Sequence, residues 1–185
     1  MREFPSPDVV DEGLLLRPIE LSDVNAWFAY LSLPYVVQHT SWNVKSPEDL
    51  RSLIATYNSE DPESPMQFAI VDKASGVFAG VIGFHAMSVV NRTAEISYNL
   101  HPDYWGRGII TACCRALVRW GLTEGGFVRI QATALDTNLA SARILQKCGF
   151  EVEGKLRKLK IVRGESRDFW LYAITNANLN DIDSL

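Results

Sequence analysis

The chain has 185 residues, of which 47% are hydrophobic, and its formal net charge at pH 7 is −4. This length and composition are sufficient for one domain with a substantial core. The mild acidic balance argues against broad nucleic-acid binding. No apolar run approaches the ~20 residues that span a bilayer, and the first residues lack the apolar stretch of a signal peptide, so we expect a cytoplasmic protein that binds no membrane.

Periodicity and turn signals predict strands and helices in alternation. In chain order these are a strand at 14–18, a helix at 23–33, an aromatic-rich loop at 35–42, a helix that opens at Ser46, strands at 67–71, 77–87 and 93–99, a helix at 109–122, a strand at 129–134, a helix after Asn138, and a hairpin of 152–162 and 166–173. This order is typical of a mixed α/β layer with helices on both faces. We expect one domain over residues 1–185, with its core at about 14–175.

The junction between the strand at 93–99 and the helix at 109–122 carries the most informative pattern, because Gly106 and Gly108 precede the helix. Glycines there let backbone N–H groups converge, and the helix adds unpaired donors and the positive end of its dipole. The pattern fits a phosphate or pyrophosphate site, although a tight turn without a ligand explains it equally well when it is taken alone. A P-loop needs Lys-Ser/Thr directly after Gly108, and the dinucleotide fingerprint needs glycine in place of Thr111, so both are excluded.

A second motif lies at residues 138–150. Asn138 can cap a helix start, an apolar stripe follows at helical spacing, and Gly149 is a natural left-handed stop after which Phe150 can fold back. An ordinary capped amphipathic helix explains all of this. Its spacing from the glycine turn is what favours a functional interpretation.

Together these motifs resemble those of the GCN5-related N-acetyltransferase (GNAT) superfamily. Trp105-Gly106-Arg107-Gly108 is similar to the acyl-coenzyme A (CoA) loop of its ribosomal-protein N-terminal acetyltransferase (RimJ/RimL) branch, and residues 138–150 resemble the family's Asn-x-x-Ser to Gly-Phe helix. The predicted hairpin resembles the same branch, whereas Ile110 departs from it, since a small residue is usual there. The resemblance covers about 14–175 and implies a mixed sheet of six to seven strands with a splayed central strand pair.

The resemblance implies acetyl-CoA as the co-substrate and assigns residues to it. The backbone of Asn99 and Leu100 would bond the pantetheine amides, and Asn138 would bond the cofactor from the opposite side. The pyrophosphate would be held by the main-chain amides of five residues, namely Arg107, Gly108, Ile109, Ile110 and Thr111, with added charge from the arginine. No resident metal is implied, and the three cysteines lack the spacing of a disulfide framework or metal site.

The catalytic residues are predicted less directly. Many family members place a tyrosine, the acid toward the leaving thiolate, where this chain has Leu145, so Ser141 is the nearest hydroxyl that fits the pattern. Glu95, on the strand that ends at the glycine turn, is the candidate base, directly or through water, and His85 is the second candidate. A packed serine, a solvated glutamate and a structural histidine explain the same residues without catalysis.

We expect an enzyme that transfers an acetyl group to a primary amine. At pH 7, deprotonating an α-amine of pKa about 7.7–8.0 costs about 1–1.4 kcal/mol, whereas a lysine of pKa about 10.4 costs about 4.6 kcal/mol. The lack of an obvious strong base therefore favours an α-amine, and the resemblance implies a protein N-terminus of the ribosomal-protein type. A small-molecule acetyltransferase (polyamine, amino acid or aminoglycoside) and a non-catalytic acyl-CoA-binding module stay open, as does the choice between monomer and homodimer.

Overall fold

The computed structural model describes residues 13–41, 44–57 and 59–178. In this part of the chain seven strands form one sheet in the order β1-β2-β3-β4-β5-β7-β6. The strands are β1 Leu14–Pro18, β2 Met66–Asp72, β3 Phe78–Ser88, β4 Thr93–Leu100, β5 Arg129–Leu135, β6 Glu151–Val162 and β7 Glu165–Thr175. The α-helices are α1 Val24–Leu31, α2 Pro34–Val37, α3 Pro47–Thr56, α4 Ile109–Thr123 and α5 Leu139–Lys147.

One strand pair divides this sheet. All neighbours pair antiparallel except β4 and β5, which are parallel. The β4–β5 ladder ends at Glu95 opposite Gln131, after three residue pairs. Because β4 continues to Leu100 and β5 to Leu135, the carboxyl ends of the two strands diverge and leave a gap. The predicted splayed central pair is confirmed.

Helices cover both faces of the sheet, and the alternation along β2 shows how. Phe68 and Ile70 pack into a core with residues of α4 and α5, whereas Ala69 and Val71 pack into a second core with residues of α1 and α3. Successive strand residues point to opposite faces, so a strand that is buried on both sides carries an unbroken apolar run. The predicted mixed α/β fold is confirmed.

The predicted elements agree with the structure within a few residues, with one exception. The helix expected at 23–33 ends at Leu31, and α2 lies in the segment expected to be loop. Pro34 occupies the first turn of α2, where its fixed φ and missing N–H are tolerated. A four-residue helix is too short to give a periodic signal. Residue 42 of that segment lies outside the described residues, and none of the described helices combines the length and apolar composition needed to cross a bilayer.

Gly83 on β3 allows the packing of the sheet centre to be tested. A Cβ at this position would lie 2.1 Å from the backbone oxygen of Met66 on β2, so the backbone must shift. We expect Gly83→Ala to lower the free energy of unfolding by about 1–3 kcal/mol in denaturant titrations. Gly154→Ala on β6 is the control, because a Cβ there meets nothing within 4 Å. Equal losses in both variants would contradict the packing described.

Candidate functional site

Two connected cavities open where β4 and β5 diverge. The inner cavity, of about 300 Å³, is walled by residues of β2 to β7, α1, α3 and α5. The loop cavity, of about 590 Å³, lies between the segment 105–111, α2 and α5. The residues that line both cavities mark their junction, and these are His39, Thr40, Tyr98, Asn99, Asn138 and Ser141. A ligand threaded through the splay would pass from one cavity into the other at this junction.

The glycine turn, residues 105–108, closes one end of the loop cavity. Gly106 and Gly108 have φ of +73° and +78°, and a Cβ on either would meet nothing within 4 Å. The backbone conformation, and not a shortage of space, therefore requires glycine at both positions. Trp105 Nε1 donates to the carbonyl of Leu100 at 2.8 Å, which ties the turn to the end of β4.

The N-terminus of α4 faces the loop cavity, where Ile109, Ile110 and Thr111 line its wall. The N–H groups of a first helical turn have no acceptor within the helix, so they are donors for a ligand. The Ile109 and Ile110 side chains are buried in the core, which explains why a bulky residue is tolerated at 110. The Arg107 guanidinium lies 5.2 Å from the Tyr104 ring centroid, and Arg107 is absent from the described lining of either cavity.

The last residues of β4 present different groups to the gap. The N–H of His101 donates to the carbonyl of Ala79 at 2.7 Å. Bonded and non-bonded pairs alternate in an antiparallel ladder, so Leu100, opposite Gly80, directs its N–H and C=O away from β3 and into the gap. By the same alternation the backbone of Asn99 is directed toward β3.

Asn99 instead contributes its side chain to the junction. Its Oδ1 accepts hydrogen bonds from Trp27 Nε1, at 2.9 Å, and from the Tyr30 hydroxyl. Both donors come from α1, so they fix this helix to the splayed end of β4. The predicted backbone contacts to a cofactor are therefore available at Leu100 rather than at Asn99.

Helix α5 forms the opposite wall of the loop cavity. Asn138 Oδ1 accepts from the Ser141 N–H at 3.0 Å and caps the helix as predicted. Arg143 and Lys147 line the cavity one turn apart. The sequence analysis missed these two cations, although their i, i+4 spacing on the helix that Asn138 begins was a usable signal.

Tyr98 is a further site residue that was not predicted from the sequence. Its hydroxyl donates to the carbonyl of Ser141 at 3.4 Å. Burial raises the pKa of Tyr98 well above its ordinary value, so the hydroxyl stays protonated at neutral pH. Leu145, where the family's tyrosine is usual, is buried and lines the inner cavity. No local signal in one sequence shows that the Tyr98 face of β4 borders a gap.

His85 and Glu95 lie together at the inner cavity. His85 is the extra residue of a β-bulge between Phe84 and Ala86, and it lines the cavity. Its Nε2 lies 3.6 Å from Glu95 Oε1. Burial lowers the pKa of His85, with Glu95 opposing and Lys160 adding to the effect. The imidazole is therefore neutral at pH 7 and able to accept a proton.

Glu95 is held in place by the neighbouring strand. Its carboxylate accepts from Thr133 Oγ1 at 2.8 Å and from Gln131 Nε2 at 3.3 Å. Glu95 is absent from the described lining of both cavities, whereas His85 and Thr133 are present. The carboxylate thus contacts the imidazole and the wall, and the imidazole faces the cavity.

Most of the predicted site residues surround the two cavities: Asn99, Leu100, Gly108, Ile109, Ile110, Thr111, Asn138 and Ser141. Glu95 and Arg107 lie beside them without lining either cavity. The roles given to all of these residues stay predictions.

The comparison with known families now bears on this geometry. A family model described as an acetyltransferase (GNAT) domain matches residues 13–151. The chain belongs to the GNAT family of acetyltransferases. The resemblance carried by the glycine turn and the Asn138 helix is thereby confirmed, as is the prediction of an N-acetyltransferase.

Relatives and solved structures of this family match nearly the whole chain. An uncharacterized N-acetyltransferase of Bacillus subtilis, YoaA, is 32% identical over 170 residues, which cover 91% of this chain and 96% of the relative. The ribosomal-protein-serine acetyltransferase of Escherichia coli is 32% identical over 168 residues, which cover 89% and 93%. The structure of RimL, a ribosomal L7/L12 α-N-protein acetyltransferase in complex with CoA, has a TM-score of 0.83 at 23% identity and covers 94% and 99%. This last likeness supports the fold.

The Asn138 cap gives a prediction for stability. Asn138→Ala removes the acceptor of the Ser141 N–H, and we expect it to lower the free energy of unfolding by about 1 kcal/mol. Asn138→Asp keeps an acceptor oxygen at the same position and should unfold near the wild-type denaturant midpoint. If the aspartate variant loses as much stability as the alanine variant, the cap does not stabilise α5.

Proposed function

We propose that this GNAT protein is a cytoplasmic enzyme that transfers the acetyl group of acetyl-CoA to the α-amine of a protein N-terminus, of the ribosomal-protein type. The observation that carries the proposal is the junction of the two cavities at the splay. One cavity has the donors and cations for a phosphorylated carrier, and the other has a neutral imidazole. Ligands in the two cavities would meet at the same point between β4 and β5.

The cofactor occupies the loop cavity in this proposal. The pyrophosphate binds the main-chain amides of Arg107 to Thr111 at the positive end of α4. The 3′-phosphate end lies toward Arg143 and Lys147, which line the same cavity. The pantetheine arm runs along the free edge of β4, where Leu100 offers both an N–H and a C=O. The Nδ2 group of Asn138 bonds it from the α5 side.

The thioester then lies at the junction. The lone pair of the amine attacks the thioester carbon, forming the C–N bond, and the C–S bond breaks as CoA leaves. A backbone N–H at the splayed end of β4 stabilises the developing oxyanion. The Ser141 hydroxyl passes a proton to the leaving thiolate and regains one from solvent water, and the Tyr98 hydroxyl holds the Ser141 carbonyl in place. Alignment of the two reactants supplies much of the rate enhancement.

We propose that His85 takes the proton of the amine and that Glu95 acts through His85. The imidazole lines the inner cavity, and the carboxylate 3.6 Å away stabilises the imidazolium that forms. This assignment reverses the order of the two candidates from the sequence, where Glu95 ranked first. It suits an α-amine, whose proton is removed at a cost of only about 1–1.4 kcal/mol at pH 7.

Release of CoA thiol from acetyl-CoA, measured across a panel of acceptors, tests the function. Turnover with peptides through their α-amine supports a protein N-terminus. Turnover with polyamines, amino acids or aminoglycosides alone would replace it with a small-molecule acetyltransferase. Tight CoA binding in calorimetry without turnover on any amine would leave a non-catalytic acyl-CoA-binding module.

Arg143 allows the cofactor position to be tested. We expect Arg143→Met to raise the Kd for CoA about fivefold, since an exposed charge contact contributes about 1 kcal/mol. The effect should shrink at high salt, where exposed charges are screened. Arg51→Met, on α3 at the opposite face of the sheet, should leave the Kd unchanged. Equal Kd values for the Arg143 variant and wild type would place the phosphates elsewhere.

The pKa of His85 predicts a pH profile for kcat/KM. Since burial lowers this pKa below 6.5, wild-type activity should fall as pH drops through it and the imidazole protonates. Titration of the acceptor amine, pKa about 7.7–8.0, adds a second limb. We expect His85→Gln to lower kcat/KM about 100-fold or more and to remove the lower limb. His101→Gln, which lines neither cavity in the described chain, should retain both limbs, and a wild-type profile in His85→Gln would exclude the imidazole.

A further inference from the structure

The described wall of the inner cavity carries one positively charged side chain and no negatively charged one. Its apolar wall is built from both sides of the sheet and includes Trp27, Leu53, Val81 and Phe169. Of the described residues that line this cavity, none is aspartate or glutamate, and Lys160 is the one that carries a full positive charge. A ligand in this cavity therefore meets a cation and no anion on the wall itself.

The fold directs Lys160 to this position. The register of β6 against β7 shifts between Leu156 and Lys160, and Asp168 Oδ1 accepts from the backbone N–H of Lys158 within this bulge at 2.9 Å. Lys160 Nζ lies 5.5 Å from the centroid of the Phe169 ring. No carboxylate of the described chain lies within 4 Å of this ammonium group, whereas Lys155 on the same strand has Asp168 at 2.9 Å.

Glu95, the acidic group beside His85, is already engaged. Its oxygens accept from Thr133 and Gln131 and lie beside His85. Lys160 and Glu95 act on His85 with opposite sign, after the larger effect of burial, so both charges lie near the imidazole. The imidazole thus has a hydrogen-bonded carboxylate beside it, and Lys160, which has no carboxylate within 4 Å in the described chain, lines the same cavity.

We infer that the acceptor carries a carboxylate close to its primary amine, and that Lys160 binds this carboxylate while the amine faces His85. The inference rests on the proposed function and narrows its substrate class. A polyamine would bring further positive charges to Lys160 without meeting a carboxylate on the wall, and like charges in a partly desolvated cavity repel. Two sources supply the required chemistry: an acidic first side chain of a peptide and the α-carboxylate of a free amino acid.

The test compares acceptors that differ in one charge. Peptides identical except for Glu, Gln or Lys as first residue are assayed by CoA thiol release, beside free glutamate and spermidine. We expect kcat/KM to be at least tenfold higher for the Glu peptide than for the Gln peptide, mainly through KM, and lowest for the Lys peptide. Turnover of free glutamate without peptide turnover would assign the carboxylate to an amino acid and overturn the protein acceptor.

Variants of Lys160 test whether this residue recognises the charge on the first residue of the acceptor peptide. Lys160→Met should abolish the preference for Glu over Gln, and Lys160→Glu should invert it toward the Lys peptide. Lys73→Glu, an exposed residue of the β2–β3 turn that lines neither cavity, makes the same change in net charge and should keep the wild-type preference. The milder Met variant remains informative if the Glu variant fails to fold.

The two proposals fail in different ways. Equal kcat/KM for the Glu and Gln peptides in the wild type, or a Glu preference that persists in Lys160→Met, would overturn the carboxylate inference and leave the acetyltransferase intact. A wild-type protein that binds CoA but acetylates no amine overturns both.

Discussion

The site depends on one constraint in the sheet, the short parallel ladder between β4 and β5. After three pairs the strands part, so backbone groups that would normally bond a neighbouring strand are left for a ligand. Leu100 shows the consequence, since its N–H and C=O point away from β3. Its carbonyl accepts from Trp105 Nε1 with one lone pair, so the N–H and the second lone pair remain for a ligand. A regular ladder would fill these groups and close both cavities.

Features that are encoded locally could be predicted from the sequence. The glycines of the turn, the Asn138 cap and the alternating strands each leave a signal within a few residues, and the structure contains all of them. The splayed strand pair was predicted only through the resemblance to a family, and the strand order was not predicted. Arg143 and Lys147 left a signal in their i, i+4 spacing, whereas Tyr98 and Lys160 matter because of what lies across a gap from them. Non-local pairing decides that, and one sequence does not display it.

The two cavities of the site are lined by different kinds of groups. The loop cavity uses main-chain donors of α4 and the edge of β4, which persist whatever side chains the segment carries, as the buried Ile110 illustrates. The inner cavity uses side chains: His85 on a bulge of β3 and Lys160 at a bulge of β6. If the two cavities hold the cofactor and the acceptor as proposed, substitution can change the acceptor without disturbing cofactor binding. This division explains why the sequence motifs mark the cofactor better than the acceptor.

The β-bulges of β3 and β6 also affect how side chains are placed around the inner cavity. Successive strand residues point to opposite faces, so His85 faces the cavity while its neighbour Phe84 is buried in the core. The bulge leaves His85 without a paired residue on β4, next to the pair of Ala86 and Glu95. Glu95 then lies beside the imidazole and is fixed by two donors from β5, so the first residues of the splay hold the proposed base in place. In the proposed function, the divergence of strands that exposes backbone to the cofactor thus also sets the chemistry offered to the acceptor.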